Sequence, residues 1–144
     1  MEDDARLTAL NALIGNWDTT VTMINADGGD GAIYRASDSY KWSVNGKFVH
    51  HDVDADMGED KRVRSLEVIA LDPSGKGYSS RSYDPDGTYS DFVCELKGRS
   101  WQIVGAVQRF AGEFSEDGKT LSGQWSQNDG ASNWTPFINV TLRK

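Results

Sequence analysis

Leu10-Asn11-Ala12-Leu13-Ile14-Gly15-Asn16-Trp17 is the stretch whose reading decides the fold. Leu7, Leu10, Leu13 and Ile14 recur at helical spacing and make one apolar stripe. Gly15 supplies the left-handed conformation that closes a helix, and Trp17 opens a segment of different period. Upstream, Asp3 and Asp4 offer N-capping oxygens and negative charge at the positive end of the helix dipole. The spacing predicts a helix of about three turns, whose stripe must lie on something and is expected to cover one end of the strands downstream.

From Trp17 onward the period is two. Trp17, Thr19, Val21 and Met23 alternate with Asp18, Thr20 and Thr22 as a first strand. After a glycine and aspartate loop over 25–31, strands are expected at 32–44, 47–55, 63–71, 77–83 and 88–96. Residues 99–115 read as two strands divided or bent near Gly105, with further strands at 119–127 and 134–143. The turn chemistry supports these breaks. Asn45-Gly46 fits a hairpin turn with two positive φ angles, and Asp72-Pro73-Ser74-Gly75 and Asp84-Pro85-Asp86-Gly87 combine a preset proline φ with a glycine reversal.

About ten strands without helical crossovers describe an all-β, up-and-down antiparallel meander with a short N-terminal capping helix. A sheet this long curls and closes or splits in two. Closure removes exposed edges, so a barrel is expected; the alternative, a sandwich, needs longer crossing loops than this chain has. If the last strand pairs with the first, Arg143 comes near Trp17, where it is expected to lie over the indole.

The 144 residues predict one domain, 1–144, large enough for a real core. A formal charge of −7 argues against binding nucleic acid through phosphates and against an anionic membrane surface. The apolar runs are too short for a membrane span. Met-Glu-Asp-Asp at the start is the reverse of a secretory signal, and the expected localisation is cytoplasmic. Cys94, the single cysteine, excludes an internal disulfide and reads as a small buried hydrophobe.

The order of these motifs resembles the calycin superfamily, the lipocalin-like barrels, and within it small bacterial lipocalin-like proteins of unassigned function. The likeness rests on Gly15-Asn16-Trp17 after a short helix, on Trp42 with Gly46-Lys47-Phe48, and on the turns at Leu71-Asp72-Pro73 and Tyr83-Asp84-Pro85-Asp86-Gly87. It continues through 114–125, Phe114 to Trp125. The resemblance implies a barrel shut at the helix end, open to a small-molecule ligand at the other, and used for binding more often than for catalysis. A related family of small barrels holds haem through a histidine on a late strand. The only histidines here are His50 and His51, so this chain departs from that pattern and no cofactor is expected.

Polar residues on otherwise apolar faces are the instructive positions, because a buried polar group without a partner costs about 1–3 kcal/mol. Asp38 shares a face with Tyr34, Ala36, Tyr40, Trp42 and Val44, His51 sits between Val49 and Val53, and Arg81 shares a face with Tyr83. Strand four is ambiguous, with Arg64, Leu66 and Val68 on one face and Glu67, Val63, Ile69 and Leu71 on the other. Phe92, Trp125 and Trp134 add aromatic surface. The candidate ligand-binding set is therefore Asp38, Tyr40, Trp42, His51, Arg81, Tyr83, Phe92, Trp125 and Trp134, with the polar members as anchors in an aromatic pocket or as a satisfied internal network. Arg81, if inside, would favour carboxylate ligands.

His50, Asp52 and Asp54 lie at two-residue spacing and read better as a solvated outer face than as a metal site. No catalytic motif stands out. The expected function is a lipocalin-like carrier or sensor of a small apolar or aromatic ligand. Two alternatives stay open: an isomerase or cyclase using the same chamber with His51 as acid or base and Asp38 or Glu67 orienting it, and a solidly packed protein-interaction barrel. A homodimer is also open.

Overall fold

The computed structural model describes residues 4–43 and 45–144, so Asp3 and Val44 lie outside the described residues. Helix α1, Ala5–Ala9, runs into a 3-10 turn, Leu10–Ala12. Ten strands come after it: β1 Gly15–Ile24, β2 Asp30–Ser43, β3 Phe48–Asp56, β4 Arg62–Leu71, β5 Tyr78–Tyr83, β6 Tyr89–Lys97, β7 Ser100–Val104, β8 Gln108–Phe114, β9 Thr120–Asn128 and β10 Trp134–Arg143. Each strand pairs antiparallel with the next, and β10 returns to β1, so the sheet is a closed up-and-down barrel.

The turns form where the sequence puts its special residues. Asn45 and Gly46 have φ of 57° and 73°. At Asp72 the carboxylate accepts from Ser74 N at 2.9 Å while the Gly75 amide donates to the Asp72 carbonyl at 3.1 Å. Near Gly105 the chain does divide: the Gly105 amide and the Gln108 carbonyl, 2.9 Å apart, close the β7–β8 turn. Pro136 sits at a register shift in β10, beyond the last β1 partner, where its missing N–H interrupts no ladder to β1.

The helix end is where the core is filled. Leu10 and Leu13 are fully buried, and with Trp17, Val49, Ile69, Tyr78, Cys94, Trp101, Phe114 and Leu121 they close that end. The Trp17 indole donates to the Leu13 carbonyl at 2.8 Å, joining the 3-10 turn to β1. Arg6 donates to the Gly77 carbonyl at 3.1 Å and Tyr78 donates from its hydroxyl to the Arg6 carbonyl at 2.7 Å, which fastens α1 to the β4–β5 turn. Asp4 caps α1 as expected, accepting from Arg6 N at 2.9 Å. The helix is shorter than the spacing predicts because its second half tightens to 3-10 to bring Leu10 and Leu13 onto the barrel.

The cation over Trp17 is Lys144, with Nζ 4.7 Å from the ring centroid, and not Arg143. Arg143 pairs with Asp18, whose side chain points outward, so strand parity sends Arg143 outward too.

Candidate functional site

Four neighbouring strands assemble one polar cluster on the inner wall. In the β2–β3 and β3–β4 registers His51 lies directly across from Tyr40 on one side and from Glu67 on the other. Directly opposed side chains on one face are within contact distance. Accordingly the Tyr40 and His51 rings stack with centroids 3.7 Å apart, and Glu67 Oε1 lies 2.9 Å from His51 Nδ1. Asp38 is the diagonal neighbour, with Oδ2 2.7 Å from His51 Nε2. Its other oxygen accepts from the Thr19 hydroxyl on β1 at 2.5 Å.

Both ring nitrogens of His51 therefore face carboxylate oxygens. A neutral imidazole has only one N–H to donate, so the arrangement calls for the imidazolium. Burial alone would lower the pKa of His51, but its hydrogen bonds to Asp38 and Glu67 outweigh that and raise it to about 9. With both nitrogens engaged, His51 has no free lone pair with which to take a proton from a ligand or to bind iron.

Above the packed end the barrel is hollow. A cavity of about 320 Å³ opens at the rim opposite the helix. Its apolar wall is built by Val21, Val53, Phe92, Ile103, Phe110, Trp125 and Val140; Asp38, His51, Glu67 and Thr19 form a polar strip, and Ser65, Ser82, Ser90, Asp84 and Gln108 line the approach. Trp125 contacts both Phe110 and Phe92, with centroids at 5.3 and 6.3 Å. The interior is thus not solidly packed.

Of the candidate residues, Asp38, Tyr40, His51, Phe92 and Trp125 come together around this cavity. Trp42 shares their face but lies at the closed end, where its indole donates to Asn11 Oδ1 at 2.9 Å. Against the expectation, Trp42, Arg81, Tyr83 and Trp134 do not line the cavity. Strand β5 turns Tyr78, Ser80 and Ser82 inward, so Arg81 and Tyr83 point outward. There Arg81 makes two hydrogen bonds to Asp91, at 2.7 and 3.1 Å, and lies 4.1 Å from the Tyr89 ring centroid. Trp134 precedes the register shift between Pro136 and Ile138, which reverses its parity relative to Val140 and Leu142. Its indole is covered on the outside by Arg109, 4.4 Å from the ring centroid.

Strand four resolves with Glu67 and Ile69 inward and Arg64 outward, beside Asp54. Thr19, Ser65, Ser82, Gln108, Ile103 and Phe110 join the site although the sequence did not single them out. Thr19 was legible by its parity with Trp17 and Val21. His50, Asp52 and Asp54 occupy the outer face, where His50 Nε2 lies 3.1 Å from Asp52 Oδ1, and Asp54 pairs with Arg62 at 2.9 Å. No group of three or more metal-ligating side chains is arranged to hold an ion among the described residues. Cys94 is buried, and burial pushes its thiol pKa up to about 12.

No protein-family model matches the chain, and no curated protein matches it in sequence. Solved structures do match. Rv2717c from M. tuberculosis superposes with a TM-score of 0.70 at 12% identity, covering 99% of each chain. The S-type phycobiliprotein lyase CPES from Guillardia theta gives 0.57 at 8% identity over 95% of this chain and 91% of that one. Zebrafish ileal bile acid-binding protein, complexed with cholic acid, gives 0.51 at 12% identity over 92% and 98%. The barrel is calycin-like. At these identities the likeness of the calycin-like barrels is one of fold, and the chemistry must be read from this chain's own cavity.

Proposed function

We propose that this protein binds a small, largely apolar or aromatic molecule inside its barrel. The observation that carries the reading is the cavity itself: about 320 Å³, open at one end, apolar on most of its wall and polar along one strip. A concave, largely pre-formed apolar site with a few placed polar groups is the usual make-up of a small-molecule pocket, and this volume lies at the small end of the range. A calycin-like neighbour complexed with cholic acid supports the use of such an interior for a ligand. The engaged nitrogens of His51 favour binding over acid–base chemistry.

Titration with an environment-sensitive naphthalene fluorophore tests this. Saturable binding with quenching of Trp125 emission, lost in Trp125→Phe, is the expected result. Absence of saturable binding by any apolar probe that fits the volume overturns it.

A further inference from the structure

We propose that the cavity selects organic cations, an apolar body carrying an ammonium group, which docks against Glu67. The inference rests on the small-molecule binding reading above and names the class of ligand.

The polar strip carries two carboxylates, Asp38 and Glu67, and one imidazolium, His51, an excess of one negative charge. No lysine or arginine lines the cavity among the described residues, and Asp84 adds a further carboxylate at the mouth. The hydrogen bonds leave one acceptor unused. Asp38 has Thr19 on one oxygen and His51 on the other, and Glu67 Oε1 has His51. Glu67 Oε2 has no hydrogen-bond partner among the described residues, although Glu67 is only 8% exposed. It is not sealed in, because no buried side-chain oxygen or nitrogen among the described residues is left without a partner, so Oε2 opens onto the cavity that Glu67 lines.

The surroundings leave space for a charged head group. Ser82 lies directly across from Glu67 in the β4–β5 register, and Ser65 is its neighbour on the same face toward the mouth. These small hydroxyl side chains give further acceptors for an ammonium and leave the volume a larger residue would take. Across the barrel, Phe92 and Trp125 offer aromatic faces to the apolar body. A net negative charge in a low-dielectric site, with one carboxylate oxygen left free, attracts a cation more strongly than it would in water and disfavours an acid.

Three naphthalene probes of matched size, bearing an aminomethyl, a hydroxymethyl or a carboxylate group, separate the possibilities when titrated at pH 7 by calorimetry. The amine should bind about tenfold tighter than the alcohol, and the acid weakest, as a charge-assisted hydrogen bond to a buried acceptor requires. Glu67→Gln keeps an oxygen for His51 Nδ1 but removes the charge, and should abolish the amine's advantage over the alcohol. Equal or tighter binding of the acid, or an amine preference that survives Glu67→Gln, overturns the inference and leaves the binding reading intact. Failure of all three to bind overturns both. Should Glu67→Gln not fold, the order of the three probes on the unaltered protein decides the matter alone.

Discussion

His51 shows how one residue couples stability to pH. Its folded pKa of about 9 lies above the ordinary histidine value of 6.5. Asp38 and Tyr40 from β2 and Glu67 from β4 are the ionisable groups that face it. Tyr40 is itself held well above its usual pKa by burial and by the two carboxylates, so it stays neutral. The unfolded chain releases the histidine proton near pH 6.5 while the folded chain keeps it, so the stabilisation is complete below pH 6.5 and is lost as pH rises through 9. Denaturant unfolding at pH 6 and pH 9 should differ by roughly 3 kcal/mol, less stable at pH 9, whereas a flat profile would mean that His51 is not held as an imidazolium. The Cys94 thiol, raised to about 12, adds its own loss only above pH 9. Asp38 and His51 were legible in the sequence because each interrupts a face whose other members are plainly apolar. Arg81 was not, because β5 carries an aromatic on each face, Tyr78 inside and Tyr83 outside, and parity alone is symmetric there. Glu67 suffered from the same symmetry on β4, where both faces are apolar.

At the scale of elements, all ten strands and their turns were legible, since glycine, proline and Asx chemistry marks every reversal. What period-two reading misses is a face where a residue is absent. Gly112 pairs with Gly123 across β8 and β9, and the Phe110 ring lies over both. A Cβ at Gly123 would overlap that ring and come within 2.6 Å of the Ala111 carbonyl. Gly123→Ala should therefore destabilise by about 1–3 kcal/mol, as overpacking does, and push Phe110 into the cavity. Thermal unfolding and probe affinity should fall together; an unchanged melting temperature would show that Phe110 moves freely. The joint between the 3-10 turn and β1 is the other element-scale test. Trp17 is 1% exposed, donates to Leu13 and stacks beneath Lys144. Trp17→Ala should cost about 3–5 kcal/mol, a large part of a small domain's stability, and yield poorly folded protein. A variant that melts within a few degrees of the parent would show the joint to be peripheral.

The whole molecule divides its labour along the barrel axis. Closure of β10 on β1 removes both sheet edges, as the cost of exposed edges predicts, and it frees the two ends to differ. One end is filled by Leu10, Leu13, Trp17 and Trp101, all almost wholly buried, and supplies the packing. The other holds a cavity bordered by Ala36, Val53, Ala55 and the rim serines, small side chains that leave room instead of filling it. Stability and binding should then respond to different substitutions. Leu13→Ala, at the filled end, opens a void in close-packed surroundings and should cost about 2–5 kcal/mol, which lowers the melting temperature by roughly 10 °C. It should leave probe affinity unchanged in the protein that remains folded, because Leu13 does not border the cavity. Ala36→Phe, at the hollow end, adds a ring where space already exists. It should weaken the naphthalene probes about tenfold or more and move the melting temperature by only a few degrees, since overpacking is costly only where no void receives the added atoms. Calorimetric melting and probe titration on both variants check the pattern. If Ala36→Phe unfolds the barrel while Leu13→Ala spares it, the assignment of packing to the helix end and ligand space to the open end is wrong.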